Sequence, residues 1–178
     1  LFAGPVLFAP AAQAAGQLVI SQAYGGGGNS GAILKNDFVE LFNRGDAPAS
    51  LSGLSLQYAS TAGTTWNNKL VLPAALLQPG QYFLIQLAAG TGGSVSLPTP
   101  DATGTIAMSA TAGKLALVNG TADLPTGTVC PAANVIDILG YGTSTNCSET
   151  GPMVALSNTT AGLRAAAGCT DSNNNVAD

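Results

Sequence analysis

Residues 21–44 read SQAYGGGGNSGAILKNDFVELFNR, and the fold turns on whether these glycines cradle a phosphate or let one strand pass to the next. Gly26, Gly28 and Gly31 fit the G-x-G-x-x-G spacing of a dinucleotide-binding loop, and an apolar segment, Leu18-Val19-Ile20, precedes them. Such a loop must lead into a helix of about three turns and then into a second parallel strand. The chain instead continues as KNDFVELFNRG, in which Phe38, Glu40 and Phe42 alternate with Val39 and Leu41. That is the period of a strand, and Asn43-Arg44-Gly45-Asp46 closes it as a turn. The glycines therefore read as a hinge, with Gly25 to Gly28 supplying permissive backbone angles between two strands.

The same grammar runs through the rest of the chain. Short apolar or alternating segments at 17–24, 37–43, 53–59, 81–87, 114–119, 134–141 and 160–165 read as strands. Gly45-Asp46, Gln78-Pro79-Gly80 and Asn119-Gly120 read as turns. Short strands without helical periodicity predict an all-β, immunoglobulin-like β-sandwich of about seven to nine strands with long Gly/Thr/Pro-rich loops. Ala88 to Ala112 is expected to be a long surface excursion carrying one edge strand, and loops of that kind often bind.

Composition narrows the function. A chain of 178 residues, 46% hydrophobic, suits one domain with one core. Only 8% of residues are charged, and the five basic ones, Lys35, Arg44, Lys69, Lys114 and Arg164, are scattered singly, so the clustered cations of a nucleic-acid footprint are missing. There is no His, which removes the commonest general base, the usual partner of a Ser or Cys nucleophile and the commonest zinc ligand. Catalytic residues are expected to be none. Cys130, Cys147 and Cys169 lack C-x-x-C spacing and suggest one disulfide plus one odd thiol, with all three pairings open. The segment LFAGPVLFAPAAQAAG, residues 1–16, is uncharged and contains Ala12-Gln13-Ala14, a small-x-small pattern of signal-peptidase type. It reads as a signal-peptide remnant or as an apolar assembly arm presenting Leu1, Phe2, Val6, Leu7 and Phe8, with the folded domain occupying 17–178. Pro5 and Pro10 argue against a membrane-spanning helix there.

Three further groups of residues invite a site. Asp171, Asn173 and Asn175 have the D-x-N-x-N beat of a calcium loop, and Asp178 can add a carboxylate, so Ca²⁺ is the expected metal if one binds. The competing reading is a polar turn whose side chains bond their own backbone. Asp37 and Glu40, three apart on a strand, point to opposite faces and form no carboxylate pair; Glu40 is expected to face inward toward Arg164 as a structural ion pair. Trp66, the single Trp, reads as core, because a sugar site normally presents several aromatics.

Several segments in order, LVISQAYGGGGNSGAILKNDFVELFNRG, LSGLSLQYAS, LQPGQYFLIQ, PTPDATGTIAMSATAGKLALV, VIDILGYG, SNTTAGLRA and GCTDSNNNVAD, resemble the bacterial lamin-tail domain. The resemblance spans about residue 17 to 178. It implies an immunoglobulin-like, non-catalytic module of secreted nucleases and other extracellular proteins. In those nucleases the module precedes an endonuclease/exonuclease/phosphatase-type domain, of which this sequence holds nothing. The function expected is thus an extracellular or cell-surface structural and interaction module, self-associating by adding its arm as a strand to a neighbour or docking on another extracellular protein. The alternative is an accessory domain of a secreted nuclease whose catalytic part is absent, since further sequence is expected beyond Asp178 unless the chain is a shortened stand-alone member.

Overall fold

The computed structural model describes residues 17–178, and the expected arm residues Leu1, Phe2, Val6, Leu7 and Phe8 lie outside them. Among the described residues the strands are β1 Leu18–Tyr24, β2 Asn36–Asn43, β3 Ala49–Ser50, β4 Leu54–Ser60, β5 Asn68–Val71, β6 Leu76–Leu77, β7 Tyr82–Ala89, β8 Ala102–Thr103, β9 Gly113–Asn119, β10 Val135–Tyr141 and β11 Gly162–Leu163. Each of the seven segments read as strands contains one, the last, 160–165, only at Gly162–Leu163. The additional ones, β3, β5 and β6, are two to four residues long, too short to show a period.

Two sheets face each other, one in the order β11-β1-β2-β7-β8 and one in the order β10-β9-β4-β5, with β3-β6 as a separate pair. Pairing is antiparallel except between β7 and β8. Alternation decides the core: Leu18, Ile20, Val39, Leu41, Ile85 and Leu87 from the first sheet meet Leu54, Leu56, Tyr58, Leu115, Leu117 and Tyr141 from the second. This is the immunoglobulin-like sandwich the sequence predicts. The outer face of the second sheet has its own cluster, in which Trp66 packs with Ala116, Val118, Leu124, Ile138 and Cys147. Trp66 is 0% exposed and its indole N–H donates to the Thr128 carbonyl at 3.1 Å, so it is core. A Cys130–Cys147 disulfide ties down the loops over this face, and Cys169 is the free thiol.

Two expectations need correcting. The Ala88–Ala112 excursion carries its edge strand, β8, but it is not merely surface, because Ile106 and Met108 descend from it into the core. The glycine run does join two strands, yet only Gly28 in it has a positive φ, +67°. Gly25 and Gly27 are required by close approach: a Cβ on Gly27 would fall 1.9 Å from the Asn36 carbonyl carbon, and one on Gly25 would fall 2.3 Å from the Ser109 carbonyl oxygen. The Gly27 amide donates to Asp37 Oδ1 at 2.8 Å, while Asp37 Oδ2 accepts from the Met108 amide at 2.8 Å. A carboxylate of the chain itself thus takes the place a phosphate would have in a dinucleotide loop.

Candidate functional site: the acidic cluster around Arg164

Where β11 ends, β1 is left with bare main-chain groups. β11 pairs only with Gln22 and Ala23, and the Arg164 amide then reaches the Ser21 carbonyl at 2.9 Å. Ile20, which is fully buried, has no strand on that side, and unpaired buried amides are costly. Side chains complete the edge. The Ile20 N–H donates to Asp137 Oδ2 at 2.6 Å, and Arg164 Nε donates to the Ile20 carbonyl at 3.0 Å. Asp137 belongs to β10 of the opposite sheet, which packs beside β1, so this pair of side chains sews one sheet to the other.

The guanidinium then gathers the other acids. Arg164 Nη2 lies 2.9 Å from Asp137 Oδ1 and 3.2 Å from Glu149 Oε2, and Nη1 lies 2.9 Å from Asp178 Oδ2 and 3.4 Å from Asp171 Oδ1. Arg164 is 5% and Asp137 3% exposed. Arg44 supplies a second guanidinium at the rim, 2.7 Å from Asp171 Oδ2. Asn175 repeats the same device on β10: its Oδ1 accepts from the Gly140 amide at 2.9 Å and its Nδ2 donates to the Ile138 carbonyl at 3.1 Å, as a neighbouring strand would. It also bonds Glu149 through both backbone and side chain.

Charge is unevenly shared here. Burial, and then the Asp137 carboxylate, push Glu149 up to about 7 despite Arg164. Burial also raises Asp137 against the opposing pull of Arg164 and the Ile20 amide. Asp178 goes the other way: burial alone would raise it, but hydrogen bonds from Ser172 and Asn174, with Arg164 nearby, hold it below the usual carboxylate range. For Arg164 burial favours loss of the proton, and Asp137, Glu149 and Asp171 outweigh it.

The expected sites map onto this cluster unequally. Asp171 and Asp178 meet at Arg164, whereas Asn175 faces β10 and Asn173, with φ +57°, donates its amide to Asp171 Oδ1 at 3.2 Å in a turn. Asp178 accepts from Ser172 N, Ser172 Oγ and Asn174 N. One oxygen each from Asp137, Glu149 and Asp171 lie within 4.8 Å of one another, the spacing of a cation site, and the cation among them is Arg164. The expected Glu40–Arg164 pair is corrected: Glu40 accepts from Ser21 Oγ at 2.8 Å, and Asp137 is the partner inside. Asp137 and Glu149 were missed, although one signal was there to use, a lone Asp in the apolar run VIDILGYG, which must find a cation or stay protonated. The cavity on one side of the cluster, lined by Ile20, Leu139, Met153, Arg164 and Asn175, holds about 20 Å³, room for one water. On the other side a more open pocket of about 270 Å³ is lined by Pro131, Asp137, Ser148, Glu149 and Asn173.

The sequence model of the lamin tail domain matches residues 11–168. This chain belongs to the lamin tail domain family. The match takes in Asp137, Glu149 and Arg164 and ends ahead of Asp171, Asn173, Asn175 and Asp178. Among solved structures, this lamin tail domain is similar to a DUF4876 family protein from Bacteroides thetaiotaomicron VPI-5482, with a TM-score of 0.48 and 12% identity. The likeness covers 72% of this chain and 54% of that one, so the chain spans about half the length of that protein. No curated protein matches it. Among the described residues, no helix of this lamin tail domain is long and apolar enough to cross a membrane.

Proposed function

We propose that this lamin tail domain is an extracellular, non-catalytic interaction module, and that copies associate through residues 1–16 by strand addition. The observation that carries the reading is the use to which the acids are put. Asp137, Glu149, Asp171 and Asp178 are all engaged with Arg164, and Asp137 and Asp178 have side chains only 2% exposed, a use of the acids as structural partners that supports the non-catalytic reading. The disulfide suits an oxidising compartment. Light scattering on the full chain and on a chain lacking residues 1–16 tests the proposal. Assembly of the first and not the second is expected; equal masses would overturn it.

Family membership favours a second reading, an accessory domain beside a secreted nuclease. Reading the gene past codon 178 tests that one. An in-frame endonuclease/exonuclease/phosphatase-type domain supports it, and a stop codon removes it.

A further inference from the structure

Strand addition needs a receiving edge with free main-chain groups, and most edges of this sandwich are closed. The edge of β1 is taken by β11, Arg164 and Asp137. On the edge of β10, Asn175 bonds Ile138 and Gly140, and the Met153 amide donates to the Gly140 carbonyl at 2.9 Å. β8 and β11, the terminal strands of the first sheet, offer two residues each.

β5 differs. It has four residues, none of them buried, and Val71 is 48% exposed. The Leu72 amide donates to the Leu54 carbonyl at 3.0 Å, just past the strand end. Antiparallel ladders alternate, so stepping back by twos assigns Leu70 and Asn68 to the bonds with Leu56 and Tyr58. The N–H and C=O groups of Lys69 and Val71 then point away from the sheet, and among the described residues no backbone group outside the sheet meets them. Lysine commonly guards such an edge, but Lys69 is turned onto its own chain, bonded to Asp123 Oδ1 at 2.5 Å and to the Thr121 carbonyl at 2.7 Å.

The sequence outside the described residues contains a segment that fits. Pro5 and Pro10 bracket Val6-Leu7-Phe8-Ala9, an uncharged run as long as β5 in which every residue keeps its amide donor. Proline cannot donate to a ladder, so pairing would begin after one and stop at the other. Topology favours a second copy as its acceptor. The arm leads into β1, which lies beside β10 at one side of the sandwich, while β5 is at the far end of its sheet. We propose that the β5 edge of one copy receives Val6–Ala9 of another, through main-chain bonds to Lys69 and Val71. This rests on the arm-mediated association proposed above and names its receptor. Because donor and acceptor are different surfaces, the contact repeats head to tail and builds an open chain of copies.

The test compares the full chain, the chain lacking residues 1–16 and Val71→Pro by light scattering at one concentration. V71P removes an outward donor and leaves the bonds to β4 in place, and its melting curve shows whether it folds. Assembly of the full chain, with both variants monomeric, is the expected result. If the chain without its arm is monomeric while folded V71P assembles normally, β5 is overturned as receptor and the arm keeps its role. If the full chain is monomeric, or the chain without its arm assembles like it, both ideas fall. A second measurement keeps the native edge: a peptide of residues 2–11 is titrated into the chain lacking residues 1–16 and amide exchange is followed by NMR. Slowed exchange at Lys69 and Val71, and binding weaker in V71P by about tenfold for the lost main-chain bond, are expected. Protection confined to another edge, or none at all, overturns the proposal.

Discussion

Two guanidinium groups, Arg164 and Arg44, face the carboxylates of Asp137, Glu149, Asp171 and Asp178, and burial, with the Asp137 carboxylate adding to it, raises Glu149. Its carboxyl stands at about 7 against an ordinary 4.5, and burial sets Asp37 at about 6 against 3.8. Between the ordinary and the raised values the folded chain keeps protons that the unfolded chain has released. The stability these two groups contribute is therefore fullest below the ordinary values and is lost as pH rises toward about 7. The urea midpoint is expected to be higher at about pH 5 than at about pH 8, and Glu149→Gln should flatten the upper part of that slope. Arg164→Met leaves Asp137 buried without its cation and should cost about 3–5 kcal/mol in urea unfolding. Arg164→Lys should restore little, since one ammonium cannot reach the Ile20 carbonyl and the carboxylates together. Just beyond Arg164, Ala166 and Ala167 hold left-handed angles, φ +53° and +58°. Glycine there relieves strain of about 1 kcal/mol per residue but adds unfolded-chain entropy, so each Ala→Gly change should gain about 0.5 kcal/mol.

The disulfide and the strand β9 act as one unit. Lys114, fully buried on β9, donates to the Val129 carbonyl at 2.9 Å and to Asn146 Oδ1 at 2.6 Å, and its ammonium lies 5.2 Å from the Trp66 ring centre. Both acceptors immediately precede a cysteine of the Cys130–Cys147 bridge, whose partners are 17 residues apart. Burial lowers the lysine's pKa, so its charge relies on those acceptors staying in place. Removing the bridge by Cys→Ala at both positions should cost about 3 kcal/mol, or about 8 °C in melting temperature. A cycle with Lys114→Met should show coupling of about 1 kcal/mol, because each change loosens what the other holds. The long elements were legible in sequence, as the alternation in NDFVELFN and LSLQYAS makes strand the natural reading. The β3–β6 pair was not, since pairing of Ala49–Ser50 with Leu76–Leu77 is decided by neighbours and not by any local period. Of the acidic cluster, the need of Arg164 for a carboxylate was legible. The choice of Asp137 over Glu40 depends on β1 lying against β10, a contact between elements far apart in the chain. Likewise the glycine run was legible as a link between strands, but the backbones crowding it at Asn36 and Ser109 come from tertiary packing.

At the scale of the molecule, the C-terminal residues close the sandwich, and any cation they bind has to compete with Arg164. Melting curves in millimolar Ca²⁺ and in EDTA are expected to coincide; a rise of about 5 °C with Ca²⁺ would favour the metal. Asp171→Ala should lower the melting temperature equally in both, through loss of the contacts to Arg44 and Arg164. The seam between β1 and β10 is held by the side chains of Asp137, Arg164 and Asn175 in place of a ladder. That arrangement couples folding to the order of synthesis. A ribosome makes β1 early and residues 164–178 late, so the earliest strand waits, with Ile20 unpaired, for a guanidinium produced 144 residues afterwards. Nascent chains halted after Leu163 should therefore stay open to proteases, and resistance should appear only when the last turn has left the exit tunnel.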